Sequence, residues 1–388
     1  MAKRQVNAQA YPPAIAGGTD LSVRLTVSLS RNTPKRPVQV APDPTGWGSA
    51  VASDGPRPDG WGSDVAPDTR HPAPDTLRLP AFAKINWSLQ VLGKRPDGYH
   101  QIETIFQSIS LHDSLTFEKR DDERIVLTCD TPGIPVDESN LVVRAAVKLR
   151  ERFGVTAGAN IRLEKDIPAP GGLGGGSSDA AVALIGLSRL WNLDRKTTDL
   201  ADIGRELGAD VPFFLTGGTA SGTGLGDQIE PLEDAPTLPL LIVVPDVTVH
   251  TGAAYAALEA SALTKDFQES ILTVSPKSLK LGIFPRPEWR NDFEPAVLEQ
   301  HSAIARAREL LLRHGAEFAM LCGSGASVYG VFRDAETRDA AVEAIRSETG
   351  DRVLAAETLS RSEYELALGL RTGGLRTGIR AEPVVDPV

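Results

Sequence analysis

Residues 167–187 read IPAPGGLGGGSSDAAVALIGL, with five glycines packed into the six positions from Gly171 to Gly176. A flexible linker sets glycine and serine between polar stretches. Here the glycines are gripped on both sides. NIRLEKDI before them reads as a strand, and the run after them is apolar nearly all round. A helix apolar on every face must be buried. Its N-terminus is then fixed, and it offers unpaired N–H groups and a partial positive charge. Glycine lets the backbone take positive φ and approach a bulky anion. The combination points to a phosphate cradle, with tight structural packing as the plainer alternative. Ser177 or Ser178 is a candidate helix cap. The loop is not a Walker A loop, because no lysine follows the last glycine, and the G-x-G-x-x-G register fails at Ser177.

Strands and helices alternate around this loop. AFAKINWSLQVLG puts Ala83, Ile85, Trp87, Leu89 and Val91 on one face, with Lys84, Asn86, Ser88 and Gln90 on the other. That pattern predicts a half-buried strand. RPDGYH predicts a turn. QIETIFQSISL and DSLTFEKR read as two further strands, and ERIVLTCD as another. NLVVRAAVKLRERFG is an amphipathic helix ending at Gly154. A helix is expected from about Ser178 to Trp191, and another near DLADIGRELG. PLLIVVPD, residues 239–246, is a continuous apolar strand; helix, two strands, helix and strand follow to about residue 360. The chain is therefore α/β or α+β, two-lobed, with a boundary near 235–250.

The ends differ from this. Residues 1–76 are rich in Pro and Gly, with GWGSAVASD returning as GWGSDVAPD, and are expected to be a disordered extension. Within them LSVRLTVSL alternates like a stray strand or binding segment, though an inert extension suffices. Residues 365–388 read as a flexible tail. The chain carries 51 acidic and 41 basic side chains, a formal charge of −10, which argues against a partner held through nucleic-acid phosphates. No apolar run is long enough for a membrane span, and no secretory leader is seen. Cys129 and Cys322 read as reduced thiols, as expected of a cytoplasmic protein.

P-x-x-G-G-L-G-G-G-S-S-D-A-A resembles the ATP-binding signature of the GHMP kinase superfamily. AFAKINWSLQVLGKRPDGYHQIETIFQSISLHD, LGADVPFFLTGGTASGTGLGD (207–227) and MLCGSGASVYGVF (320–332) resemble further motifs of that superfamily, in the right order. They are similar to those of members that act on a small molecule carrying a cytidine diphosphate group. The resemblance covers about residues 78–360. It implies the α+β GHMP kinase fold, with an N-terminal ATP-binding lobe over 77–237 and a C-terminal ferredoxin-like lobe over 238–364. It further implies ATP as a substrate, Mg²⁺ held mainly by phosphates, no nucleic-acid or membrane partner, and a monomer or homodimer. The expected reaction is phosphorylation of the 2-hydroxyl of 4-diphosphocytidyl-2-C-methyl-D-erythritol, a step in isoprenoid precursor synthesis. The alternatives are a GHMP kinase of homoserine or mevalonate type, or a non-catalytic nucleotide-binding relative.

The same resemblance assigns residues. Asp210 would accept or orient the hydroxyl proton, and Lys84 would stabilise charge on the transferring phosphoryl. Taken alone, a strand lysine is usually a solvated edge residue and an Asp before Val-Pro a turn residue. Asn86, Tyr99, His100, Lys165 and Tyr255 are expected at the substrate, with Tyr99 and His100 as the pair on the cytosine. ATP would lie along Pro168, Ala169, Pro170, Gly171, Gly172, Leu173, Gly174, Gly175, Gly176, Ser177 and Ser178, supported by Gly323, Ser324 and Gly325. Asn291 and Asp292 read as a helix start. Pro170 departs from the motif, which has a glycine or other small residue there; its φ is locked and one N–H is lost.

Overall fold

Two long strands, β1 (Thr76–Lys94) and β2 (His100–Arg120), carry the first half of the protein. They pair antiparallel across the Pro-Asp-Gly turn, where Gly98 takes φ +88. The computed structural model describes residues 76–193, 195–260 and 289–370; the expectations for 1–75 and 371–388 fall outside them. Two sequence expectations change here. β2 is one strand rather than two. The register shifts between Ser108 and His112, which pair with Lys84 and Phe82, so the ladder is bulged rather than broken. β1 is also not half-buried: Ala81 to Val91 are buried on both faces, because its polar face is covered by the glycine loop at Lys84, by Thr104 at Asn86 and by the Arg290 backbone at Ser88.

β3 (Ile125–Cys129), β4 (Gly158–Glu164), β5 (Thr219–Thr223) and β6 (Gln228–Pro231) complete a six-stranded sheet. Its order is β3-β4-β2-β5-β6, with β1 also on β2. The β3–β4 pair is parallel, and the other pairs are antiparallel. Against the sheet pack α1 (Leu141–Phe153), α2 (Gly175–Leu190) and α3 (Thr197–Leu207). α1 starts where Asn140 accepts from the Val142 N–H and stops at Gly154, in the left-handed region at φ 65. α2 is buried from Ser178 to Ser188. Gly186 lets Phe117 press on the helix, since a Cβ there would stand 2.4 Å from the ring.

The second half is an antiparallel sheet of order β10-β7-β9-β8. It is formed by β7 (Pro239–Val244), β8 (Phe318–Leu321), β9 (Val328–Val331) and β10 (Arg352–Glu357). With α7 (Ser302–Arg313) and α8 (Ala335–Thr349) interleaved, the β-α-β-β-α-β order is the expected ferredoxin-like arrangement. α5 (Thr251–Ala260) and α6 (Glu294–Gln300) lie in the connection after β7. Among the described residues no helix is long and apolar enough to cross a membrane.

All described residues belong to one compact unit, and a third apolar cluster joins the two sheets. Ile85, Trp87 and Ile109 meet Leu240, Ile242 and Tyr329 there. The Tyr329 hydroxyl donates to the backbone carbonyl of Asn86 at 2.9 Å. The chain also stays folded beyond the expected domain end at 364. α9 (Arg361–Ala367) returns to the first sheet's core, where Tyr364 and Leu368 are fully buried. The Tyr364 hydroxyl donates to the carbonyl of Phe214.

Candidate active site

The glycine loop ends at Gly174, which takes φ 74 and is the N-cap of α2 with no side-chain cap. The expected serine cap is not formed. Ser178 lies inside the helix and donates to the Phe82 carbonyl at 2.7 Å, which ties the helix start to β1. The first intrahelical bond runs from Ser178 N to Gly174 O. The N–H groups of Gly175, Gly176 and Ser177 therefore precede the ladder, as at any helix start. A side-chain cap would have satisfied one of them; a bare glycine leaves them for an anion.

A second glycine motif seats this loop. A Cβ on Gly172, whose φ is +73, would stand 1.9 Å from the carbonyl oxygen of Cys322. Ser327 N donates to Gly171 O at 3.3 Å, and Asn291 Nδ2 donates to the carbonyls of Leu321 and Gly323 at 3.0 and 2.7 Å. Gly323, Ser324 and Gly325 thus lie in the turn the loop leans on. Asn291 accepts from Phe293 N, but α6 begins only at Glu294. Its main work is to hold the 321–323 turn, a role its Asn-Asp dipeptide gave no means of telling from a cap. Pro170 is exposed at the loop's mouth.

β1 brings Lys84 under the loop: its N–H donates to the Leu173 carbonyl at 3.0 Å. Its ammonium donates to Asn86 Oδ1 at 2.8 Å and stands 3.5 Å from Asp210 Oδ2. Asn86 Nδ2 donates to Thr104 Oγ1, which donates to the carbonyl of Ser88, each at 2.7 Å. The lysine side chain is 5% exposed and the Asp210 side chain 32%, so the carboxylate has the open side. Asp210 is the N-cap of α4 (Val211–Phe214) but makes no side-chain cap bond, which leaves its carboxylate to Lys84. The structure thus brings Lys84, Asn86 and Asp210 together beside the glycine loop.

An aromatic group borders the same carboxylate. His100 stacks on Tyr255 with ring centroids 4.5 Å apart and planes at 16°, and Tyr255 meets Phe293 edge-on at 4.8 Å. Burial, and then the charge of Asp210, raise the pKa of the Tyr255 phenol, so Asp210 lies within electrostatic reach of the ring. Tyr99, expected with His100 on the cytosine, is 64% exposed, and the ring stacked on His100 is that of Tyr255, also expected at the substrate. Thr251 and Ser324 hydroxyls meet at 3.0 Å and join α5 to the second glycine turn.

Lys165 departs from expectation. Its side chain is 5% exposed, and it is bound by Asp113 and, at 2.9 Å, by Asp179. An ammonium held this way between two buried carboxylates is part of the loop's foundation. Both aspartates lie inside the motifs quoted from the sequence, but the sequence alone assigned neither of them a role. Among the described residues no group of three or more His, Cys, Asp or Glu could hold a metal ion.

An ammonium–carboxylate pair between a glycine-rich helix start and an aromatic wall, on two sheets of this topology, defines a small-molecule kinase of the GHMP class. Two family models bear this out: GHMP kinases N terminal domain over residues 140–218 and GHMP kinases C terminal over 286–351. A 4-diphosphocytidyl-2-C-methyl-D-erythritol kinase of Caldicellulosiruptor saccharolyticus is 39% identical over 254 residues, 66% of this chain and 87% of that protein. One of Solibacter usitatus is 42% identical over 301 residues, 76% of this chain and 91% of that protein. A crystal structure of 4-(cytidine 5'-diphospho)-2C-methyl-D-erythritol kinase matches with a TM-score of 0.61 at 32% identity, over 73% of this chain and 99% of that one. The chain belongs to the 4-diphosphocytidyl-2-C-methyl-D-erythritol kinase family.

Proposed function

We propose that the protein transfers the γ-phosphoryl group of ATP to the 2-hydroxyl of 4-diphosphocytidyl-2-C-methyl-D-erythritol. The observation that carries this reading is the 3.5 Å Lys84–Asp210 pair beside the loop that runs into the bare N-terminus of α2. Phosphoryl transfer asks a protein mainly for positioning and charge stabilisation. The triphosphate lies along Gly171 to Ser177, its oxygens on the N–H groups of the helix start. The substrate hydroxyl lies against Asp210, which takes its proton as the new O–P bond forms and the bond to the ADP oxygen breaks. Lys84 pairs with that carboxylate and faces the charge on the transferring group. Asn86, itself fixed by Thr104, orients Lys84 and reaches the substrate.

His100 and Tyr255 supply the flat surface for a pyrimidine base. Mg²⁺ would travel with the nucleotide, bound mainly by its phosphates and water, and would neutralise phosphate charge. The tail, the monomer or homodimer state and a cytoplasmic setting remain part of this proposal. A coupled ADP-release assay tests the reading. Turnover with the cytidine-diphosphate substrate and none with homoserine or mevalonate is expected; the reverse pattern overturns the substrate assignment.

A further inference from the structure

Three charged side chains meet at the base of the glycine loop. Asp113, on β2, is fully buried and accepts from the N–H groups of Asp166 and Ile167 at 2.6 and 2.8 Å as well as from the Lys165 ammonium. Lys165 reaches on to Asp179 Oδ2. Asp113 thus grips the chain where it leaves β4, and Lys165 links that grip to α2 where the loop ends. The loop between residues 165 and 179 is clasped at its base.

The clasp lies directly behind the phosphate-facing N–H groups. Asp179 is one turn past Gly175, and helical side chains lean back toward the N-terminus. The Lys165 ammonium stands only 3.2 Å from where a Cβ on Gly175 would be. With both carboxylates ionised the cluster carries one net negative charge in a place where an anion is to bind. The other titratable groups near it are Cys129 and Asp130 at the end of β3, and Asp130 is occupied with the Lys165 N–H at 3.1 Å.

We propose that Asp113, Lys165 and Asp179 are positioning residues for the nucleotide, and that Asp179 holds a proton when the phosphates bind, so that no net charge stands behind the helix start. Asp179 Oδ1 is buried with no hydrogen-bond partner, an arrangement costly for a carboxylate and mild for a neutral acid. Burial first, and Asp113 beside it, push the Asp179 carboxyl up to about 7 against the pull of Lys165. Burial lowers the Lys165 pKa, but the two carboxylates outweigh it and leave it above the ordinary lysine value. The proton comes from solvent. As pH rises through about 7 the cluster passes from neutral to singly negative, and affinity for a polyanion falls.

This rests on reading the loop as the nucleotide site. The test is calorimetric binding of ADP to the full chain and to Asp179→Asn, which keeps the shape and cannot ionise. Between about pH 6.5 and about pH 8.5 the native affinity should weaken about tenfold more than that of the variant. Ionisation of ADP itself cancels in that ratio. At the lower pH the two should agree within about twofold. A second measurement needs no variant: at about pH 8, where ADP is fully ionised, native protein in buffers of different ionisation enthalpy should take up part of a proton on binding. Parallel pH profiles, or no uptake, overturn the proton at Asp179 while leaving the nucleotide site intact. Absence of ADP binding at every pH overturns both.

Discussion

The Lys84 ammonium and the Asp210 carboxylate face each other across 3.5 Å, one delivered by the first strand and the other by the N-cap of a four-residue helix. The pair is asymmetric, with the lysine buried and the aspartate open on one side. Asp210→Asn should therefore fold normally and lose about 10²–10⁴-fold in kcat, the usual worth of a positioned general base. A variant that kept a tenth of native turnover would exclude Asp210 from proton transfer. Lys84→Met should lose a comparable factor, but with reduced stability, since Asn86 Oδ1 then loses its buried partner.

Gly172→Ala probes the seat of the loop. The added methyl would lie 1.9 Å from the Cys322 carbonyl at a φ of +73, so the two glycine motifs must separate. Such a clash with backbone at positive φ costs about 2–4 kcal/mol. Urea denaturation should show that loss, and the KM for ATP should rise. An unchanged midpoint with unchanged KM would mean the loop does not lean on the 322–325 turn.

Tyr255→Ala removes the ring stacked on His100. The KM for the cytidine-diphosphate substrate should increase about three- to tenfold, in line with aromatic pair energies, and the KM for ATP should stay where it is. Equal rises in both constants would point to a general collapse of the site instead.

The two cysteines should separate under alkylation. Burial pushes the Cys322 thiol up to about 12, although Lys84 pulls the other way, and the thiol is fully buried. Burial also raises the partly exposed Cys129, by less. Iodoacetamide at mildly alkaline pH should label Cys129 in the native protein and reach Cys322 only on unfolding. Mass spectrometry of the labelled peptides decides this, and equal labelling of both would contradict the packing of the 322–325 turn.

Much of this arrangement was legible in the sequence because it rests on local rules. Gly154 ends α1 as expected, and the apolar run after the glycines is a buried helix. Lys84 and Asn86 were placed on one face by alternation, and the structure brings both together with Asp210 beside the glycine loop. What escaped were features set by non-local partners. The alternation of β1 suggested a wet polar face, but the glycine loop covers Lys84, while Thr104 and the Arg290 backbone bind Asn86 and Ser88. The stacking of His100 on Tyr255 joins residues far apart in the chain, and no spacing rule could have shown it. Lys165 was read from its nearness to the loop, whereas its partners come from β2 and α2, far along the chain. α9 was lost in a stretch whose tail-like composition begins only after it.

That last helix is also testable. The Tyr364 hydroxyl is buried and donates to Phe214, and burial holds its pKa well above that of a free phenol. Tyr364→Phe should cost about 1–2 kcal/mol by leaving that carbonyl unpaired, read as a lowered urea midpoint with native kcat. A null effect on stability would detach α9 from the first core.

The return of α9 to the opening sheet has a consequence for biosynthesis. Domains generally fold in order as the ribosome extends the chain, but the site beside Lys84 lies in a core that Tyr364 and Leu368 complete. That core cannot be complete around β1 and β2 until α9 has emerged. A nascent chain stalled before Arg361 would hold the loop, the lysine and the aspartate, yet its first core would still be open where the ring of Tyr364 belongs.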